Sequence, residues 1–190
     1  MLNSLNAVEI PVVEAINNFG RGTFIDTISG LISYWPFLAF IFVLFFIWIL
    51  FNDKKNYKII ILSLIIAFIL QLLISNLFIK IVLVEFAGIR ERPYIAYDFI
   101  SAVGARSTSS SFPSSHVSTL TALLGVLVYF SRKKYLLFSS IIFIILLILS
   151  RIHNGMHYPS DVLAGAVFGL IYSSVAVYFS KKILKNSLFN

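Results

Sequence analysis

The chain has 190 residues, of which 59% are hydrophobic and 12% charged, and its formal net charge is +7. About a quarter of the residues of a typical soluble domain are charged, so this composition excludes an ordinary soluble domain. The chain contains no cysteine, which excludes disulfides and thiolate chemistry.

Five apolar runs without Asp, Glu, Lys or Arg predict the main elements, and they span residues 34–51, 59–79, 112–131, 135–150 and 162–180. A helix needs roughly 20 residues to cross a bilayer, with a range of about 17 to 25. We therefore predict an all-α integral membrane bundle of about five transmembrane helices. The run 135–150 is short, so its helix is expected to extend into the flanking residues.

The N-terminal residues 1–33 are expected to form an amphipathic segment on the membrane surface. Pro11 can occupy the first position of a short helix that Gly20 ends, with Val12, Ile16 and Phe19 on one side. The alternative is a sixth crossing helix within residues 1–33. With residues 1–33 as a surface segment, residues 34–180 are expected to be the transmembrane domain and residues 181–190 a basic cytoplasmic tail.

The basic residues indicate topology. They cluster after the first, third and fifth runs, as Lys54, Lys55 and Lys58, then Arg132, Lys133 and Lys134, then Lys181, Lys182 and Lys185. If every run crosses once, all three clusters lie on one face, and cytoplasmic loops carry the excess of Lys and Arg. The positive charge is therefore attributed to orientation in the cell membrane, and no nucleic-acid partner is predicted.

The opposite face receives three polar clusters, each at the end of a predicted helix. They are GIRERP at residues 88–93, SFPSSH at 111–116 and SRIHNGMHYPSD at 150–161. Ionisable groups at membrane depth are costly and usually functional. Arginine offers a planar fork of donors that suits phosphate oxygens, so Arg92, Arg151 and Arg90 are candidate phosphate ligands.

The remaining polar residues fit a two-step phosphoryl transfer. Ser114 and Ser115 follow Pro113 and begin a helix, whose free N–H groups form an anion site, and His116 lies in that first turn. Asp161 lies four residues after His157, so it can orient one imidazole nitrogen and leave the other free as a nucleophile. A metal site is the alternative for two His and one Asp, but the neighbouring arginines would repel a cation.

These clusters resemble the three signature motifs of the type 2 phosphatidic acid phosphatase superfamily, which includes the vanadium haloperoxidases. The motif Ser-Arg-x5-His-x3-Asp is matched by Ser150, Arg151, His157 and Asp161. Pro-Ser-Gly-His is matched by Pro113, Ser114 and His116, with Ser115 in the Gly place. Only Arg92 and Pro93 match Lys-x6-Arg-Pro, because Glu85 holds the Lys place. Arg90, Arg106 and Lys80 are candidates for the missing charge.

The resemblance implies the roles. His157 would form a phosphohistidine, Asp161 would orient it, and His116 would protonate the leaving oxygen. Phosphate would be bound by Arg92, Ser114, Ser115 and Arg151, without a metal or other cofactor. A structural or substrate-contact role is expected for His153.

The expected substrate is a phosphorylated lipid at the outer face, and the small bacterial members that the chain resembles are undecaprenyl pyrophosphate phosphatases. The alternatives are phosphatidylglycerophosphate, phosphatidic acid or lipid A phosphatases, and a catalytically silent lipid-binding or transport protein.

Two local patterns complete the predictions. Residues 101–111, rich in Gly and Ser, are expected to be irregular, either as a mobile lid or as a surface loop. Gly165 and Gly169 form a small-xxx-small pair, which favours close packing of the last helix against another helix of the same chain over packing in a dimer.

Overall fold

Helices form all the regular structure in the part of the chain that the computed structural model describes, residues 2–52 and 56–186. In chain order they are α1 Leu2–Asn18, α2 Phe24–Ile32, α3 Trp35–Asn52, α4 Tyr57–Leu70, a π-helical segment π1 Gln71–Leu83, α5 Val84–Ala87, α6 Pro93–Ala96, α7 Ser115–Ser131, α8 Lys134–His153 and α9 Pro159–Asn186. The prediction of an all-α fold is confirmed.

All five apolar runs are helical except at Tyr34 and residues 112–114, and α8 extends the short run 135–150 at both ends, as expected. Tyr57–Phe86, Lys134–His153 and Pro159–Leu184 are long and apolar enough to cross a membrane. A fourth span exists if α2 and α3, which are bent by 60° at their junction, are counted together. The apolar helix α7 is shorter, with 17 residues. A total of five crossings therefore remains a prediction.

The N-terminal segment differs from the prediction. Pro11 lies inside α1 and does not begin it, because the helix already starts at Leu2. Its inward face is polar: Glu9 and Asn17 are buried together with Val13, whereas Val12 and Phe19 are exposed. This polar face has partners in distant parts of the chain, which the local pattern of residues 1–33 does not reveal. A second helix, α2, occupies residues that were expected to belong to the surface segment.

The core is centred on α7, whose apolar side chains are buried against α4 and α9. Gly165 and Gly169 allow the closest approach. A Cβ atom would lie 2.8 Å from the Ser114 carbonyl oxygen at Gly165 and 2.7 Å from the Ser118 carbonyl oxygen at Gly169. The prediction that this glycine pair packs within the chain is confirmed. The outward side of α8 is apolar, with Ile142 and Ile145 exposed, as a lipid-facing helix requires.

The chain direction places the polar motifs at one end of the bundle. α7 starts at the second motif, α8 ends in the third motif, and α9 starts from it. The basic residues Arg132, Lys133 and Lys134 join α7 to α8 at the opposite end, and Lys181 and Lys182 lie in the last turns of α9. α9 continues through residue 186, so these two lysines belong to a helix. Lys54 and Lys55 lie outside the described residues.

Candidate active site

A cavity of about 790 Å³ opens at the polar end of the bundle. It is lined by the α2–α3 junction, π1, the irregular segment 103–109, the first turn of α7, the end of α8 and the loop between α8 and α9. Its ionisable side chains are Lys80, Arg92, Arg106, His116, Arg151 and His157. No carboxylate lines the cavity among the described residues, so its charge is positive without local compensation.

His157 lies in the loop that joins α8 to α9, and only 1% of it is exposed. Gly155 makes this loop possible, since its φ is 68° and a Cβ atom there would lie 2.7 Å from the Ser101 carbonyl oxygen. The Nδ1 atom of His157 faces Oδ2 of Asp161 at 3.7 Å, which is longer than a hydrogen bond. Its Nε2 atom lies 3.4 Å from Nη1 of Arg92, beside the cavity.

The surroundings of His157 favour its neutral form. Burial lowers the pKa of this imidazole well below 6.5, and the positive charges of Arg151 and Arg92 lower it further. A neutral imidazole keeps a lone pair on one nitrogen, which a nucleophile requires.

His116 is in the first turn of α7, as predicted, and lines the same cavity. Its ring lies against the indole of Trp35, with 4.3 Å between the ring centroids. The neighbouring Ser115 donates a hydrogen bond of 2.7 Å to Oδ1 of Asn76. This bond ties the start of α7 to π1, so the two walls of the cavity are held together.

Arg92 is held in place by backbone and side-chain acceptors. Its Nη1 donates to the Met156 carbonyl oxygen at 3.0 Å, and its Nε donates to the Ser109 carbonyl oxygen at 3.1 Å. It is 4% exposed. The guanidinium therefore has a fixed orientation next to Nε2 of His157.

The surroundings of Arg151 indicate what kind of ligand the site binds. Arg151 is 6% exposed, and its buried Nε atom has no hydrogen-bond partner. No carboxylate of the described residues lies within ion-pair distance of it. A buried charge without a partner is costly. A guanidinium so placed beside a cavity is therefore expected to meet an anion there.

The comparisons with known proteins agree with this geometry. A model of the PAP2 superfamily matches residues 62–185 of the chain. The chain belongs to the PAP2 superfamily. The matched region includes the second and third motifs and Arg92. The prediction of a lipid phosphatase is thereby confirmed at the level of enzyme class.

Two solved PAP2-type structures share the fold. Aquifex aeolicus LpxE has 21% sequence identity and a TM-score of 0.64, and the match covers 90% of this chain and 95% of that one. A transmembrane PAP2-type phosphatidylglycerolphosphate phosphatase from Bacillus subtilis has 23% identity and a TM-score of 0.63, with 94% and 88% covered. Among curated proteins, no sequence matches the chain.

The PAP2 motif residues do not all reach the cavity. His116, His157, Arg92, Arg151 and Ser115 line it. Ser114 is fully buried as the N-cap of α7, with its backbone N–H bonded to the Asp161 carbonyl oxygen at 3.1 Å. Asp161 is also fully buried, behind His157.

Arg90 does not line the cavity, contrary to its expected role as a phosphate ligand. Its Nη1 donates to Oδ1 of Asp161 at 2.5 Å, and its Nη2 donates to Oε2 of Glu9 at 2.6 Å. Its guanidinium also lies over the Tyr158 ring, 4.2 Å from the centroid. Protein acceptors thus occupy the group, and they place it behind Asp161, away from the cavity.

The third PAP2 motif also anchors the N-terminal helices. His153 bonds to the Ile16 carbonyl oxygen and to Oδ1 of Asp26, each at 2.9 Å, which agrees with the expected structural role. Ser150 donates to the Ser29 carbonyl oxygen at 2.6 Å. These contacts attach α1 and α2 to the end of α8.

Sequence reasoning missed three residues of the site. Trp35 packs against the ring of His116, Asn76 binds Ser115, and Glu9 binds both Arg90 and the backbone N–H of Ser160. Asn76 and the nearby Lys80 are polar residues close to the end of an apolar run, which was a usable signal. Trp35 and Glu9 carried no comparable signal, because their partners are distant in sequence.

A second, apolar cavity of about 370 Å³ adjoins the PAP2 site. It shares Trp35, Asn76 and Ser115 with the first cavity and runs between α3, the α4–π1 helix and α7. Its other lining residues are Leu38, Ala39, Phe42, Phe68, Gln71, Leu72, Thr119, Leu120 and Leu123. We call this second cavity the apolar groove.

The described part of this PAP2 chain offers few side chains that could bind a metal ion together. It contains no group of three or more His, Asp or Glu side chains placed to hold a metal ion. The carboxylate nearest to His157, that of Asp161, is engaged by Arg90 and by the Tyr158 backbone N–H.

Proposed function

We propose that the chain hydrolyses the phosphate or pyrophosphate headgroup of a membrane lipid through a phosphohistidine intermediate, with undecaprenyl pyrophosphate as the first candidate substrate. The observation that carries the proposal is the buried, unpartnered Arg151 in a cavity that also holds Lys80, Arg92 and both histidines. Cations without local acids attract a phosphoryl group.

In the proposed first step, Nε2 of His157 attacks phosphorus and the bond from phosphorus to the leaving oxygen breaks. His116 donates a proton to that oxygen. The lipid alcohol therefore leaves uncharged, or the lipid phosphate leaves with one negative charge fewer. Water then attacks phosphorus, with His116 accepting its proton, and the bond from phosphorus to Nε2 breaks, so that inorganic phosphate is released and His157 is regenerated. Arg92 and Arg151 neutralise the charge of the phosphoryl oxygens in both steps.

The proposed role of Asp161 is to position His157. Its Oδ2 lies 3.7 Å from the imidazole Nδ1, and catalytic hydrogen bonds are often long before substrate binds. Arg90 supports this position from behind, through its 2.5 Å bond to Oδ1 of Asp161. We therefore propose Arg90 as a positioning residue, in place of the phosphate ligand expected from its planar fork of donors.

Two features support a long-chain lipid diphosphate. Four cations line the cavity, which is more charge than a single phosphate dianion carries. The apolar groove opens from the same residues and offers an apolar path for a hydrocarbon tail. Phosphatidylglycerophosphate is the second candidate, because a fold neighbour of this chain is described as a phosphatase of that lipid.

We also propose that the site faces the outer side of the cell membrane. The described basic residues at the opposite end of the bundle, Lys58, Lys133 and Lys182 among them, support this orientation through the excess of positive charge in cytoplasmic loops.

The test is release of inorganic phosphate by the purified protein in detergent with EDTA present. The panel is undecaprenyl pyrophosphate, phosphatidylglycerophosphate, phosphatidic acid and lipid A. The highest kcat/KM is expected for undecaprenyl pyrophosphate. A higher kcat/KM for another lipid would make that lipid the preferred substrate. No phosphate release from any of them would favour the silent lipid-binding protein.

A further inference from the structure

Lys80 is a charged residue within an apolar helical span. It lies in π1, near the end of the span Tyr57–Phe86, and is only partly exposed. It lines the cavity together with His116, Arg151 and His157. Charged residues inside membrane spans are rare and usually face a functional cavity.

No acid among the described residues is in direct contact with Lys80. Among the described residues it makes no ion pair and no hydrogen bond to another side chain. The other lining residues of the cavity include no Asp or Glu. The ammonium group therefore adds an uncompensated positive charge to the site that also holds Arg92 and Arg151.

The helix that carries Lys80 is fastened by hydrogen bonds to two other helices. Ser75 bonds to the Tyr172 hydroxyl of α9 at 2.8 Å, and Asn76 accepts the bond from Ser115 of α7. A π-helix closes its hydrogen bonds over five residues, and such segments occur frequently at functional sites. Asn76 and Lys80 thus lie on the same wall of the cavity.

Glu85, which holds the Lys place of the first motif, is in a different position. It belongs to the short helix α5, is exposed and does not line the cavity. An acid that faced the cavity would repel phosphate, but Glu85 does not face it.

We propose that Lys80 is a substrate-binding cation of the active site and contacts the phosphoryl oxygens, supplying the charge that residue 85 lacks. This inference rests on the proposed phosphatase function. Hydrogen bonds to charged groups contribute about 1.5–3 kcal/mol, so Lys80→Met is expected to lower kcat/KM about 10- to 150-fold.

The experiment compares four variants in the phosphate-release assay with undecaprenyl pyrophosphate and phosphatidylglycerophosphate. Lys80→Met removes the charge, and Lys80→Arg keeps it and should retain most of the activity. Lys58→Met, at the exposed other end of the same span, and Glu85→Lys are the controls, and neither should change kcat/KM by more than a few-fold. Wild-type kcat/KM in Lys80→Met, or an equal loss of kcat/KM in Lys80→Met and Lys58→Met, would overturn the inference.

A binding measurement separates this inference from the proposed function. Orthovanadate should raise the midpoint of thermal unfolding of the wild type and of Lys80→Arg, and the shift should be much smaller in Lys80→Met. This pattern without hydrolysis of either lipid would support Lys80 as an anion ligand and reject the proposed substrates. If the wild type hydrolyses lipid and vanadate shifts the midpoint equally in the wild type and in Lys80→Met, the role of Lys80 is rejected and the proposed function stands. If Lys80→Met does not fold, Lys80→Gln takes its place.

Discussion

At the scale of single residues, the proposed chemistry depends on a neutral His157. Because burial and the charges of Arg151 and Arg92 lower the pKa of this imidazole, it loses its proton at a pH below the ordinary value of 6.5. The nucleophilic form then predominates at neutral pH and persists into mildly acidic solution. The proposed nucleophile is therefore already in its neutral form before the substrate binds.

The corresponding prediction concerns the pH profile of the free enzyme, which kcat/KM reports. The acidic limb of kcat/KM should fall below pH 6.5, since activity is lost only when His157 becomes protonated. The measurement uses a water-soluble short-chain substrate, so that the ionisation of the lipid surface does not contribute. An acidic limb at or above 6.5 would mean that His157 is not the group whose protonation limits the reaction.

At the scale of elements, α1 is joined to the active site by buried charge. Glu9 accepts bonds from Arg90, from the Ser160 hydroxyl and from the Ser160 backbone N–H. The ion pair of Arg90 with Glu9 is nearly inaccessible, with 4% and 10% of the side chains exposed. Removing the charge of Glu9 leaves Arg90 with Asp161 as its remaining acid partner and weakens the charged hydrogen bonds that Glu9 accepts.

Glu9→Gln is therefore expected to lower the free energy of unfolding by about 1–3 kcal/mol, the range for losing a charged hydrogen-bond partner. Glu14→Gln is the matched control on the exposed side of α1 and should change it by less than about 0.5 kcal/mol. Both are measured by denaturant unfolding in the same detergent. Equal stability of the two variants would show that the Glu9 contact does not hold α1 to the site.

The apolar groove gives a second prediction at this scale. Ala39→Trp should fill part of the groove and lower kcat/KM for long-chain lipid while leaving a soluble short-chain phosphate substrate unaffected. The control is Leu163→Trp, on the exposed apolar side of α9. If Ala39→Trp lowers the activity on both substrates equally, the groove does not hold the tail.

The elements also show what the sequence could predict and what it could not. Apolar runs and capping residues predicted the long helices, because these depend on local composition. Pro11 was misplaced because the face of α1 is decided by Glu9 and Asn17, whose partners lie far along the chain. Arg90 and Arg92 are two residues apart, yet only Arg92 reaches the cavity. The contact with Glu9 that separates them has no local signal.

At the scale of the whole molecule, the site lies at one end of the bundle, and the basic residues between α7 and α8 and at the end of α9 lie at the other. Thr108 belongs to the irregular segment next to the cavity and is exposed, and Lys133 lies between α7 and α8 and is also exposed. Because the chain has no cysteine, a single introduced cysteine reports one position. An impermeant thiol reagent on intact spheroplasts should label Thr108→Cys, and Lys133→Cys only after permeabilisation. The reverse pattern would place the active site in the cytoplasm.

The central claim is that His157 performs covalent catalysis on a phosphorylated lipid. The most direct measurement is phosphate release from undecaprenyl pyrophosphate and phosphatidylglycerophosphate by the wild type and by His157→Ala, both shown to be folded by thermal unfolding in detergent. Phosphate release by the wild type and background release by His157→Ala is the predicted result. Comparable release by the folded variant would contradict the claim.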